Sequence, residues 1–213
     1  DDKLDKLLMY MLIFTIVGAR LGHCLFYEPE YYLSNPIKFL YVWEGGLASH
    51  GGAIGILIGL YIYAKKIDKP YLWILDRIVV PVAIGGAFIR MGNLMNSEIY
   101  GQPTDLPWGF KFVRDYPIGT PIENIPACHP TQIYEALFCV AVFVYLLYAY
   151  YKQNMAERRP GFMFGIFLIV VFGSRILIEF IKNHQVAFED NMLLDMGQWL
   201  SIPFLIAGIY FVA

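Results

Sequence analysis

The chain has 213 residues, 58% of them hydrophobic and 16% charged, with a formal net charge of −2. So little charge on so much apolar sequence excludes an ordinary soluble domain of this size. The absence of a basic tract, or of basic and aromatic residues interleaved, excludes nucleic acid as a partner. The expected class is an all-α polytopic membrane protein. It opens at Asp1 without an initiator methionine and stops at Ala213 inside an apolar run, so it reads as a piece of a longer protein. Cys24, Cys128 and Cys139 form no CxxC pair or disulfide framework, which leaves cysteine chemistry of the chain's own without support.

Six apolar segments are long enough to cross a hydrocarbon core of about 30 Å: 7–27, 46–64, 72–93, 134–151, 161–181 and 193 to the end. Lys3 and Lys6 precede the first, Lys65, Lys66 and Lys69 follow the second, and Lys152, Arg158 and Arg159 follow the fourth. The other connections carry Lys38, Lys111 and Arg114 against Glu28, Glu30, Glu44, Glu98, Asp105, Asp115 and Glu123. Lysine and arginine concentrate in cytoplasmic loops, so the first set is expected inside and the second outside. The outer connections are also the elaborate ones. Residues 28–45, aromatic and broken by Pro36, predict an arm lying in the membrane interface. Residues 94–131, with six prolines, predict a small extracytoplasmic cap in which WGFKFV is a short strand between turns.

This topology places Arg20, Arg90 and Arg175, each late in an outward-running span, in the outer half of the bilayer. An unpaired guanidinium in hydrocarbon costs about 3 kcal/mol or more, so each should be paired, wet, or facing an anion. The densest polar stretch is GGAFIRMGNLMNSEIYG (85–101), where Arg90, Asn93 and Asn96 can share a helix face with Glu98 just beyond. Fork-shaped donors beside amides suit a phosphate; an arginine snorkelling to the headgroups from a helix end is the other reading. His50 opens the second span and HPTQIYE (129–135) opens the fourth, both at the same outer level. Behind His50, Gly51, Gly55 and Gly59 recur every four residues, a spacing that admits another helix at close range. Taken alone, His50 is equally a hydrogen-bonded packing residue. Arg175 and Glu179 are four apart and predict a charged pair on one helix face. Asp76 and Arg77, near the inner end of the third span, are expected to be interface anchors.

GARLGHCLFY (18–27), WEGGLASHGG (43–52), IRMGNLMNSEIYGQPTDLPWG (89–109), HPTQIYEA (129–136), SRILIEFIK (174–182) and MGQWLSIP (196–203) occur in this order. Together they closely resemble the bacterial phosphatidylglycerol-prolipoprotein diacylglyceryl transferases, whose signature R-x-G-N-x-x-N-x-E-x-x-G is matched from Arg90 to Gly101. The resemblance covers essentially everything after Gly18. It implies seven helices with an outside N-terminus, the first of them absent here, and residues 1–213 as one transmembrane catalytic domain. Ser97 stands where the family commonly has glycine, which puts the turn before Glu98 in question.

The resemblance also implies a reaction: transfer of the diacylglyceryl group of phosphatidylglycerol to the lipobox cysteine thiol of a prolipoprotein, leaving a thioether and glycerol phosphate. The partners are then the lipid, the lipobox segment and the surrounding membrane, for a monomer in the bacterial inner membrane that uses no cofactor and no metal. His50 matches the expected base, and Arg90 and Arg175 the essential arginines that hold the phosphate. Asn93, Asn96, Glu98 and Gly101 are expected at the headgroup. Arg20, Gln132, Tyr134, Glu135 and Glu179 are expected in support, Glu179 as the partner that orients Arg175; a buried network that only holds helices in register is the alternative for these. Two other classes compete. An anion or lipid transporter would use intramembrane arginines at several depths, and a metal-dependent hydrolase would need paired ligand spacing that is not present.

Overall fold

The computed structural model describes residues 2–26, 28–182 and 196–213; the side chains of Phe26, Glu44, Ser49, His50 and Met196 lie outside the description. So do residues 193–195, where the sixth apolar segment is expected to begin. The chain forms two compact units, Asp1–Ile74 and Leu75–Ala213.

The first unit is built on two helices, α1 (Asp2–Phe26) and α3 (Ser49–Lys66), joined by the arm. Lipid tails are as apolar as leucine, so helices in a membrane are held by close packing rather than by water's exclusion. Here the contact is backbone on backbone: a Cβ at Gly51 would lie 2.3 Å from the Gly18 carbonyl oxygen, and one at Gly22 would lie 2.8 Å from the Gly51 Cα. The glycine series of α3 therefore meets a second glycine pair on α1. The Ala48 amide donates to the Ala19 carbonyl at 2.9 Å at one end of the pair, and the Tyr63 hydroxyl donates to the Lys3 carbonyl at 2.7 Å at the other. The arm itself is α2 (Pro29–Ser34) followed by two 3-10 turns, Pro36–Leu40 and Val42–Glu44. Leu33, Ile37, Leu40 and Trp43 of this arm are exposed, an apolar surface of the kind an interfacial segment presents.

The second unit contains most of α4 (Tyr71–Asn96), then α5 (Thr131–Tyr151), α6 (Met155–Arg158), α7 (Phe162–Glu179) and α8 (Met196–Val212). Val79 and Ala83 of α4 pack with Val142, Leu146 and Ala149 of α5, Ala156 of α6, and Phe162 and Met163 of α7. Among the described residues four helices are long and apolar enough to cross a membrane, namely α1, α4, α5 and α7, and α8 is apolar but shorter. The protein is thus a helical membrane protein. Between α4 and α5, β1 (Phe110–Lys111) pairs antiparallel with β2 (Ala127–Cys128), so the strand expected in WGFKFV forms over two of its residues.

One expectation is corrected. Asp76 is not an interface anchor: it is fully buried and accepts the backbone N–H groups of Gly161 at 2.6 Å and Phe164 at 2.8 Å. The first turn of a helix has amide donors without intrahelical partners and carries the positive end of the dipole. Asp76 caps α7 from a neighbouring helix, which is why a carboxylate is tolerated there. Arg77 pairs with Glu157 at 2.5 Å and lies over the Tyr150 ring.

Candidate active site

Two polar networks carry the residues singled out in the sequence. In the first unit, Arg20 is buried at 3% exposure and directed into the arm. Its Nε donates to the Phe39 carbonyl at 3.2 Å, Nη2 to Lys38 at 2.7 Å, and Nη1 to Gly45 and Gly46. The Tyr32 ring lies 5.0 Å from the guanidinium carbon. Gly45 and Gly46 have φ of 84° and 70°, values that favour glycine and turn both carbonyls toward one cation. Arg20 is occupied in folding the arm. The backbone of His50 lies in the first turn of α3, and its side chain lies outside the described residues.

In the second unit, the end of α4 meets the start of α5 and the end of α7. Arg90 pairs through Nε with Glu135, and its Nη1 donates to Asn93 Oδ1 at 3.3 Å. Asn93 and Asn96 both donate to Glu98 Oε1, at 2.9 and 3.2 Å. These bonds, that from Asn93 first, hold the Glu98 carboxyl below its ordinary range, so Glu98 is an acceptor at neutral pH. The Glu98 carbonyl is in turn fixed by Gln132 Nε2 at 2.7 Å, and the Ile99 carbonyl by the Thr131 hydroxyl at 3.0 Å.

The turn questioned at Ser97 forms, and its geometry shows why glycine suits it. Ser97 has φ of 59° and Ile99 has φ of 60°. A left-handed conformation costs an L residue about 1–2 kcal/mol, and for a β-branched residue such as isoleucine it is a genuine outlier. Such strain persists only where surrounding contacts over-determine it. Here the bonds from Gln132 and Thr131 do so, and they aim Glu98 at the asparagines. Gly101 is buried, and a Cβ there would lie 2.6 Å from the Ile181 carbonyl oxygen and 2.8 Å from His129 Cβ. Its place is a close crossing of chains.

Arg175 reaches the same region from α7. With Arg90, Glu135, Gly86, Ile89, Cys139, Val171 and Phe172 it lines a cleft of about 200 Å³ in which charged and apolar side chains both take part. Its Nε is buried and has no hydrogen-bond partner among the described residues. A buried donor of this kind is expected to find an acceptor, and a guanidinium suits a planar or tetrahedral oxyanion. The charged pair expected between Arg175 and Glu179 does not form among the described residues: Arg175 turns to the cleft, while Glu179 packs against Gly197 and lies 3.6 Å from Lys182. Tyr134 accepts from Trp108 Nε1 at 2.9 Å and lies 3.4 Å from His129 Nδ1.

The sequence reading missed Lys182. It is 3% exposed, donates to Glu135 Oε1 at 3.0 Å, and its backbone bridges Gly101. Its spacing of three from Glu179 was the available signal, but a lysine at the end of an apolar span reads first as a snorkelling anchor.

The sequence model of the prolipoprotein diacylglyceryl transferases matches residues 1–213. Among similar proteins, one from Porphyromonas gingivalis is 50% identical over 214 residues, covering 98% of this chain and 76% of its own length. One from Tolumonas auensis is 48% identical, with 98% and 77% covered, and one from Chloroherpeton thalassium is 43% identical, with 100% and 76% covered. All three are named phosphatidylglycerol-prolipoprotein diacylglyceryl transferases.

Proposed function

The chain belongs to the prolipoprotein diacylglyceryl transferase family, and from that premise we propose that it transfers the diacylglyceryl group of phosphatidylglycerol to a prolipoprotein's lipobox cysteine. The observation that carries the reading is the buried, unpartnered Nε of Arg175 in a cleft shared with Arg90. The substrate thiol attacks the glyceryl carbon, the carbon–oxygen bond to phosphorus breaks, and glycerol phosphate departs with the electron pair. Charge on the phosphate grows along this path, so fixed guanidinium groups stabilise the transition state more than the ground state. An ordinary thiol has a pKa of about 8.5 and reacts as the thiolate, so a base is needed. His50 takes that role in this reading, receiving the thiol proton.

The remaining assignments follow the same logic. Asn93, Asn96 and Glu98 form a hydrogen-bonded edge that suits the glycerol hydroxyls of the headgroup, while Gly101, Gln132 and Tyr134 fix the loop that carries it. Glu135 holds Arg90, Glu179 stands at the edge of the same cluster, and Arg20 holds the arm beside the helix that bears His50. Residues 1–213 act as a single catalytic domain and as a monomer in the bacterial inner membrane. In this reading α3 and α8 also cross the membrane, the arm of 28–45 lies in the interface, and the cap of 94–131 lies on the extracytoplasmic side. The chemistry asks for no cofactor and no metal.

The direct test is incubation of the purified protein with phosphatidylglycerol and a lipobox peptide, followed by mass measurement. The expected product is the peptide heavier by one diacylglyceryl group on its cysteine. An unmodified peptide, or solute flux through liposomes without thioether formation, would overturn the reading.

A further inference from the structure

Lys182 is the buried cation that no step above uses. Its ammonium meets one oxygen of Glu135 at 3.0 Å, Arg90 Nε holds the other oxygen, and Glu179 stands at 3.6 Å from the same ammonium. The root of the side chain is fixed, since Lys182 bridges Gly101 and the Gln102 amide donates to the neighbouring Ile181 carbonyl at 2.9 Å. Burying an ammonium is costly unless it is paired, so a lysine held this way is there for its charge.

The consequence is for Arg90. A lone carboxylate beside an arginine takes both of its parallel N–H groups and largely neutralises it. Here Glu135 is divided between two cations, and its contact with Arg90 is through Nε. With Arg175 on the cleft wall, the five groups Arg90, Arg175, Lys182, Glu135 and Glu179 carry three positive charges against two negative ones.

We propose that Lys182 is a positioning residue for the headgroup cleft: by engaging Glu135 it leaves Arg90's charge and outer N–H groups for the phosphodiester of the donor lipid. This rests on the reading of the cleft as a phosphodiester site. Without Lys182, Glu135 turns wholly to Arg90 and the cluster loses its excess positive charge. Removing the carboxylate as well restores that excess.

The test is steady-state kinetics of diacylglyceryl transfer in detergent micelles with phosphatidylglycerol as the varied substrate and a lipobox peptide held fixed. Lys182→Met is expected to raise KM for phosphatidylglycerol about tenfold with kcat within about threefold of wild type, and Lys182→Arg to stay near wild type. The double variant Lys182→Met/Glu135→Gln is expected to recover most of the lost affinity, with the unfolding midpoint near wild type in both variants; a purely structural lysine would instead show its loss and rescue in the midpoint. An unchanged KM in Lys182→Met, or a double variant no better than the single one, would overturn the proposal. Thermal unfolding is followed alongside; if Lys182→Met does not fold, Lys182→Gln with and without Glu135→Gln makes the same comparison. Absence of product from the wild-type protein would instead overturn the reading of the cleft itself.

Discussion

Arg20 and Arg175 are the same residue type at similar positions late in apolar helices, yet their surroundings are opposite. Arg20 is ringed by the carbonyls of Lys38, Phe39, Gly45 and Gly46 and covered by Tyr32. Arg175 has a buried Nε with no partner among the described residues and a cleft in front of it. The first guanidinium has already spent its donors on the chain's own backbone; the second retains them. What separates a structural arginine from a ligand-binding one is the supply of acceptors, and helix position carries no information about that.

The sharpest way to break this comparison is to keep charge and remove the fork. Arg175→Lys is expected to lower turnover by about a hundredfold, the scale of losing one donor to a developing oxyanion, while the thermal midpoint stays near wild type. Near-normal transfer of diacylglyceryl to the lipobox peptide would refute the phosphate role. His50→Ala is expected to lose activity at neutral pH and regain part of it as pH approaches the thiol's own pKa of about 8.5, because thiolate then forms unaided. A low, flat pH–rate profile would assign His50 to positioning.

Arg20→Lys should act differently. Hydrogen bonds from a charged donor are each worth about 1.5–3 kcal/mol, and lysine cannot reproduce the planar fork. The expected result is faster proteolysis of the arm around Tyr41–Gly46 and a lower unfolding midpoint, with the remaining folded protein keeping its KM for phosphatidylglycerol. A raised KM with a normal midpoint would move Arg20 into the lipid site. The smallest effect is expected at Ser97→Gly. Relief of the left-handed conformation should stabilise the protein by about 1 kcal/mol, read in a denaturant titration, and a loss of stability would show that the Ser97 side chain contributes more than the strain it bears.

Much of the helical framework was legible because apolar length, glycine spacing and proline density are local properties. The close approach on Gly51 and Gly55 could be read from α3 alone, although its partners Gly18 and Gly22 could not. Arg90, Asn93, Asn96 and Glu98 are near neighbours in sequence, so their hydrogen-bonded edge was foreshadowed by spacing. The links between Arg90, Glu135 and Lys182 join residues more than forty positions apart, and periodicity says nothing about such pairs. Asp76 is illegible for the same reason: its partners are the backbone amides of Gly161 and Phe164, 85 and 88 residues later. Ser97 departs from the family's glycine, and its φ of 59° shows what the glycine would relieve.

The contact of α1 with α3 has a consequence of its own. Where two main chains touch directly, no side-chain layer remains that could repack to absorb an added methyl group. A Cβ at Gly55 would fall 2.0 Å from the Phe14 carbonyl oxygen, so Gly55→Ala must force the two helices apart along their shared seam. The spacing of this unit is therefore set by the thickness of bare polypeptide, and its tolerance for variation at the seam is less than one carbon atom.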